Sequence, residues 1–597
     1  MPTRLTIGLC RRSMRMDIAQ AFGGFCGRLI PNPKSPIPNG LRAKAALRRH
    51  MTAVVILLVC PAHALADQSP PVAAPADAPA SAPTRRLPHL AAAGFELAAG
   101  ADQRDKWMPV AIEETLAWRL RRVPGLLTVP AVRVHQARRE LQEEGADPPP
   151  WPRVVAALGA DYMLTGRCTG PPFEAALHVT LLVLSPPPSN LASRPSTAEA
   201  EVRVLQEVDL PPGKLFDVLD AATQWALRQF AIHELPQPVQ RMIYGPPCHS
   251  PSALEYYARA ITAARADDLR TAYDYAMRSL TYDELFRAAL ALTVQLEIQS
   301  GPAGQNLAGR HLRQWAELAR IDSDAIDRSA AELGLGTVLH IKGSFDAAYQ
   351  RYETALAMAY ADDSPYGQMM AANSLADLFL TRRLPPKPSL PATQLRSLAE
   401  QDLRSAAAWQ EIALDLAAGL GDVVSEAPYA NKLALTYERL GEWEAAIAMH
   451  NRSLAAAQQV GSRSNEATAW ICLAQAYQRA GEGGQALAAG KHALETASPS
   501  FQPIVQVVIG GAYRTLKQPD AALTEYEGAY RKLREAEDLG SQLVCLRAIA
   551  ELRMELGRRQ DAVSAFKEAI EVAHALSATE QEASLRKQLA ECEQTSR

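Results

Sequence analysis

From about residue 251 the chain reads as helix after helix, with small residues recurring among the apolar positions. Residues 87–233 carry a different pattern. An amphipathic helix over 107–122 runs into Pro124-Gly125 and a strand-like LLTVPAVRV. A short helix around 151–158 leads through Gly159 into DYMLTGRC. Two further strand patterns, EAALHVTLLVL and EVRVLQEVDL, flank a long polar loop at 185–198, and a helix spans about 213–230. Strands alternating with helices, then a hairpin-like pair, predict a small α/β domain followed by an all-α region.

The helical region repeats itself in register. Tyr437, Gly441, Ala446 and Ser453 return forty residues later as Tyr477, Gly481, Ala486 and Ala493. They return again as Tyr513, Lys517, Ala522 and Ala529, and as Arg553, Gly557, Ala562 and Ala569. An earlier copy is Leu339, Gly343, Ala348 and Ala355. The glycine position suits a left-handed turn after a first helix, and the alanines let a second helix approach closely. Ala456 lies outside these small positions and is expected to tolerate enlargement. Residues 254–283 and 286–320 read as degenerate units. Prolines 385, 386, 388 and 391 interrupt one copy, and 579–593 is polar enough to cap the array. The pattern resembles tetratricopeptide repeats, here with a longer period, and implies a mainly α superhelix of about eight helix pairs over 251–597.

Charge is unevenly spread. Residues 1–66 hold ten Lys/Arg and one acid, Asp17; taking these from the 62 basic and 65 acidic residues leaves 52 and 64, a net −12. So acidic a body offers no general field for phosphate backbones, which argues against nucleic-acid binding. The basic residues Arg42, Lys44, Arg48 and Arg49 precede an apolar run from Thr52 to Cys60 and then Ala64-Leu65-Ala66. That order predicts a secretory leader over 1–66, cleaved before Asp67, and no membrane span after its removal. Val59 stands before Cys60 where lipid attachment takes a small residue, so lipidation is not expected. Residues 67–86, rich in proline and alanine, read as a tether. The five cysteines beyond the leader are scattered and predict no disulfide framework.

Residues 87–240 resemble the TolB amino-terminal-like domain. The resemblance rests on IEETLAWRLRRVPGLLTV and VAALGADYMLTGRCTG, through Pro124, Gly125, Leu158, Gly159, Asp161, Tyr162 and Gly166. The segment LPHLAAAGFELAA departs from it by lacking a firmly apolar first strand. The resemblance implies an envelope-facing or interaction domain and no chemistry.

Motifs for catalysis are missing: no HExxH, no GxSxG and no phosphate-binding GxxxxGK[ST] occurs. Gly334-Leu335-Gly336 and the Gly481–Gly484 cluster fall on helical repeats and read as turn or packing glycines. Glu113-Glu114 and Asp267-Asp268 read as solvated helix faces or turns. No enzyme activity, cofactor or metal is expected. The tetratricopeptide resemblance implies a groove lined by the first helix of each pair. Its positions map onto Asn431, Lys432, Leu435 and Arg439, then Gln475 and Arg479, then Val507 and Arg514. Arg439, Arg479 and Arg514 are expected to form a basic inner ridge for an acidic protein or peptide. The paired Lys and Asn of a chaperone-binding carboxylate clamp are not reproduced. The sequence thus predicts an exported, periplasmic binding scaffold, part of an envelope complex. The alternative is a regulatory sensor whose α/β domain binds a small ligand and whose repeats relay it.

Overall fold

The computed structural model describes residues 87–142, 147–185, 201–382 and 392–594. The predicted leader at 1–66, the tether at 67–86 and nearly all of the loop at 185–198 lie outside the described residues.

Five strands form one sheet in the order β2-β1-β3-β4-β5. They are β1 (His89–Leu97), β2 (Leu127–Thr128), β3 (Tyr162–Thr169), β4 (Ala175–Ser185) and β5 (Glu201–Gly213). Strands β2, β1 and β3 run parallel, while β4 and β5 extend the sheet antiparallel. One face packs on helices α1 (Met108–Leu120) and α4 (Leu215–Gln229), and the other on α2 (Ala131–Glu140) and α3 (Trp151–Ala157). The alanines that make β1 look weakly apolar have a physical reason. Ala91, Ala92 and Ala93 are fully buried on alternating faces, and helices cover both sides. The segment LLTVPAVRV divides differently from its strand-like pattern. Only Leu127 and Thr128 pair, Pro130 caps the next helix, and AVRV opens α2. Proline has no amide to donate to a ladder but suits the first turn of a helix.

A short helix, α5 (Gln237–Tyr244), leads into eight helix pairs. They are α6 (Pro251–Arg265) with α7 (Leu269–Tyr282), α8 (Arg287–Gln299) with α9 (Pro302–Ile321), and α10 (Ala325–Ile341) with α11 (Phe345–Ala361). Next come α12 (Pro365–Thr381) with α13 (Ala392–Leu420), α14 (Val423–Leu440) with α15 (Trp443–Val460), and α16 (Arg463–Arg479) with α17 (Gly483–Thr496). The last are α18 (Gln502–Thr515) with α19 (Pro519–Glu535) and α20 (Leu539–Glu555) with α21 (Arg559–Ala575), closed by α22 (Thr579–Gln594). Each helix packs on its sequence neighbours, as a solenoid requires.

The repeated small residues sit at the tightest contacts. Ala348, Ala446, Ala486, Ala522 and Ala562 are all fully buried, and so are Ala355, Ala493, Ala529 and Ala569. Gly343, Gly441, Gly481 and Gly557 occupy the same left-handed turn with φ from 72° to 81°. At the matching place in the α18–α19 turn stands Lys517, with φ 58°. A residue with a Cβ pays about 1–2 kcal/mol for that conformation. Gly334 and Gly336 serve packing, since a Cβ there would meet Leu312 and Tyr352, each at 2.5 Å.

Ala456 differs from expectation. It is 4% exposed and belongs, with Val460, to the core shared with the α/β domain, so enlarging it would strain that contact.

Two outcomes follow for stability. Ala486→Leu should cost roughly 1–3 kcal/mol in denaturant unfolding, because its neighbours leave no room for extra methylenes. Lys517→Gly should gain about 0.5–1 kcal/mol by relieving the left-handed turn; no gain would mean that the turn is not strained.

Candidate functional site

The first helices of successive pairs are tied to one another by polar side chains, and this places the predicted groove residues. Lys432 on α14 reaches Asp377 Oδ1 (2.5 Å) and Asn373 Oδ1 (3.0 Å) on α12. Arg479 on α16 donates to Glu438 on α14. Gln478 Nε2 donates to the Val508 carbonyl on α18 (2.7 Å). Arg514 on α18 pairs with Glu555 and, at 3.3 Å, with Glu551 on α20. These struts fix one continuous face built by α12, α14, α16, α18 and α20.

The expected basic ridge does not form. Arg479 and Arg514 are each neutralised by carboxylates of a neighbouring helix, so the face is charge-balanced. Asn431 turns away from it and meets His450 Nδ1 (2.9 Å) on α15, inside its own pair. His450 Nε2 in turn lies 3.1 Å from Glu438 Oε1, which makes one chain, Asn431–His450–Glu438–Arg479, buried at His450 and Glu438 and opening to solvent at Arg479. Leu435, Gln475 and Val507 are half-buried. Arg439 is exposed and borders a cavity of about 240 Å³ with Phe379, Leu380, Arg382, Ala399, Asp402 and Leu403. The ordering of charge by helix spacing was legible in sequence, but the opposing acids lie about forty residues away and were not.

The sequence reading missed a second site, where the α/β domain grips the solenoid. Most of its polar contacts fall where a second helix of one pair turns into the first helix of the next; α6 is gripped separately, through Arg265 and Tyr257 on Glu113 and Glu114 of α1. Arg122, buried after α1, donates through Nε to Asp324 Oδ2 (2.8 Å) and lies 2.7 Å from Asp327 Oδ1. Arg287 joins the same cluster, 3.0 Å from Asp324. Two pairs further on, Arg133 of α2 meets both oxygens of Asp422 at 3.3 and 3.4 Å. Asp324 and Asp422 are also the N-caps of α10 and α14, accepting from the amides of Asp327 and Ser425. Arg153 donates to the Val460 carbonyl at the end of α15 (2.9 Å).

The seam closes around His89 and Gly159. His89 Nδ1 donates to the Gly159 carbonyl (2.9 Å), which leaves Nε2 to accept from the Tyr366 hydroxyl of α12 (3.1 Å). Gly159 has φ 74°, and a Cβ there would come within 2.2 Å of the Leu420 carbonyl. Only glycine fits both the backbone and the approach.

Glu113 and Glu114, expected on a solvated face, belong to a buried network. Glu113 accepts from the Gly94 amide (3.0 Å), from Arg265 (3.3 Å) and from His135, while Glu114 accepts from Arg265 (2.8 Å). Burial alone would raise the Glu113 carboxyl, but the His135 bond and charge, Arg265 and the Gly94 amide bring it below its usual value. For Glu114 burial prevails and raises it. Asp267 takes a left-handed turn (φ 61°) and Asp268 caps α7. Cys168, Cys248, Cys472 and Cys545 are buried thiols outside any disulfide, each pushed up to about 12 by burial, and Cys592 is a fifth buried cysteine. Among the described residues, no three metal-ligating side chains gather into a site, and no helix is long and apolar enough to cross a membrane.

Residues 425–498, which span α14 to α17, match the family described as tetratricopeptide repeat. This segment is a tetratricopeptide array. The flanking pairs continue its geometry. No curated protein matches the chain. Among solved structures it is similar to a signal-transduction ATPase with a tetratricopeptide repeat sensor from Pyrococcus horikoshii, at 14% identity and TM-score 0.37, over 56% of this chain and 48% of that one. A tetratricopeptide repeat protein from Parabacteroides merdae aligns at 14% identity and TM-score 0.31, over 51% of this chain and all of that one. The quorum sensor NprR from B. thuringiensis, in its apo form, aligns at 12% identity and TM-score 0.33, over 57% and 97%. Likeness at this level transfers nothing to the present chain.

Two measurements probe the seam. Arg122→Met should cost about 3–5 kcal/mol, since it strips a buried counter-charge from Asp324 and Asp327. Adding Asp327→Leu should restore part of that loss, because one orphaned carboxylate goes while Asp324 keeps Arg287 as its partner. For Glu113 the sign follows from its lowered value. Its stabilisation is present above the unfolded carboxyl range and is lost as pH falls through the folded value. Glu113→Gln should therefore flatten the acid limb of the stability–pH curve, read by thermal melts from neutral pH downward.

Proposed function

We propose that this chain is an interaction scaffold that binds a protein or peptide through the inner face of its tetratricopeptide array. The observation that carries the reading is the repeat match at 425–498, set in a continuous row of first helices that present Leu435, Arg439, Gln475 and Val507. In tetratricopeptide arrays that face commonly holds an extended or helical segment. Charge balance across Lys432, Arg479 and Arg514 disfavours a partner recognised by acidity alone. Recognition rests instead on shape, amide hydrogen bonds and Arg439, which has no ion-pair partner among the described residues. We place the scaffold outside the cytoplasm, in the bacterial envelope, on the strength of the leader-like order of residues 42–66, and we read 87–240 as a TolB amino-terminal-like interaction domain.

A regulatory reading gains support from one observation: the α/β domain holds four successive repeat boundaries at once, through Asp324, Tyr366, Asp422 and the Val460 carbonyl. A ligand that moved it would shift the spacing of the repeats.

The test is affinity capture on the mature chain, followed by titration of the captured partner into wild type and a Leu435→Glu, Gln475→Glu, Val507→Glu variant. The scaffold reading expects at least a tenfold loss of affinity with the melting temperature retained. Undiminished binding places the partner elsewhere. Amino-terminal sequencing of the exported protein should begin at or near Asp67; full-length protein recovered only from cytosol rejects the envelope location.

A further inference from the structure

The outer strand of the sheet is an interaction surface of a different kind. β5 is thirteen residues long and stands at one end of the strand order, while the opposite edge, β2, has only two residues. Along Glu201–Leu210 it pairs with β4 on one side, and among the described residues nothing pairs with the other. Its free amides and carbonyls form a template for one more strand. Proteins blunt such edges with proline, bulges and charge. Here Pro211 and Pro212 lie at the far end with one irregularity, between the pairs Ala175–Gly213 and Leu177–Leu210, and a second falls at Leu205, between the pairs Leu181–Gln206 and Leu182–Val204.

The side chains beside this edge divide into two zones. Val202 and Val204, 43% and 55% exposed, stand opposite Leu184 and Leu182, and Leu205 beside them is 39% exposed. Beyond Leu205 come Glu207 and Asp209, opposite Thr180 and His178, with side chains 61% and 90% exposed. The side chain that meets them is the His178 imidazole, 2.8 Å from Asp209 and 3.8 Å from Glu207. Apolar surface at one end and paired carboxylates at the other specify what can lie alongside.

We propose that β5 docks an extended segment of a partner protein that carries basic residues at two alternate positions and apolar residues at two alternate positions beyond them. Main-chain hydrogen bonds to β5 supply affinity, and alternation along the added strand supplies selectivity. The basic pair faces Asp209 and Glu207, and the apolar pair covers Val204 and Val202. Opposite charges directly across a strand pair stabilise it, and like charges oppose it.

The test uses the full chain and two labelled synthetic peptides on a threonine background. One carries lysine at two alternate positions followed by alternating valines, and the other has glutamate for lysine. Fluorescence anisotropy should show the lysine peptide binding, weakening as salt rises, and the glutamate peptide failing to bind. Glu207→Lys with Asp209→Lys should reverse the preference by at least tenfold, and the milder Val204→Thr should weaken the lysine peptide in an otherwise unchanged fold. Hydrogen exchange should slow within residues 201–210 of the bound chain. Absence of binding, a preference that survives the charge reversal, or protection appearing on α14–α18 instead would each overturn the proposal. The last outcome would leave the inner-face reading intact.

Discussion

A guanidinium taken out of water must meet a carboxylate, and that requirement holds the two halves of this molecule together. Arg122 and Arg133 come from the α/β domain, while their partners, Asp324 and Asp422, begin repeat helices two pairs apart. Each aspartate already has a task, since an unsatisfied amide at a helix start needs an acceptor. In Asp324 the second oxygen is left to face the arginine, and in Asp422 both oxygens meet it. Burying such pairs costs about as much desolvation as the contact returns, so the gain is in register more than in stability. With the Tyr366 and Val460 contacts, the α/β domain is fixed against four successive repeat boundaries.

The repeats have a corresponding internal logic. Left-handed residues at nearly every tight turn let the next helix start at once, and alanines let paired helices close in. Polar struts then link first helices across repeats, so the inner face is organised by matched charges. A partner there competes with existing ion pairs unless it uses the residues they leave free. At the edge of β5 the internal contact is His178 on Asp209 and Glu207, and the exposure of those carboxylates sets the edge apart as a second surface with a different preference.

What could be read from the sequence follows from range. The helix pairs, their turns and their small contacts are local, and Gly441, Ala446 and Ala486 announced them by repeating. Gly159 marked a turn before its second role against Leu420 was visible. Alanines in β1 concealed a buried central strand, because packing on both faces by helices rewards small side chains over bulky ones. Pro130 sits in a run that alternates like a strand, yet it starts a helix. The seam was hidden altogether: Arg122 and Asp324 are 202 residues apart, and neither differs in sequence from a surface ion. The same blindness made Arg479 and Arg514 look like a ridge and Ala456 look like a bystander.

Native-state hydrogen exchange in rising denaturant tests the claim that sheet and solenoid are one body. Amides of Leu90–Ala93 in β1 and of Val424–Leu433 in α14 should converge on one opening isotherm, because the strand cannot be freed while Arg133 and His89 hold the helix starts. Exchange of the β1 amides through a separate, lower-energy opening that leaves the α14 amides protected would contradict the account.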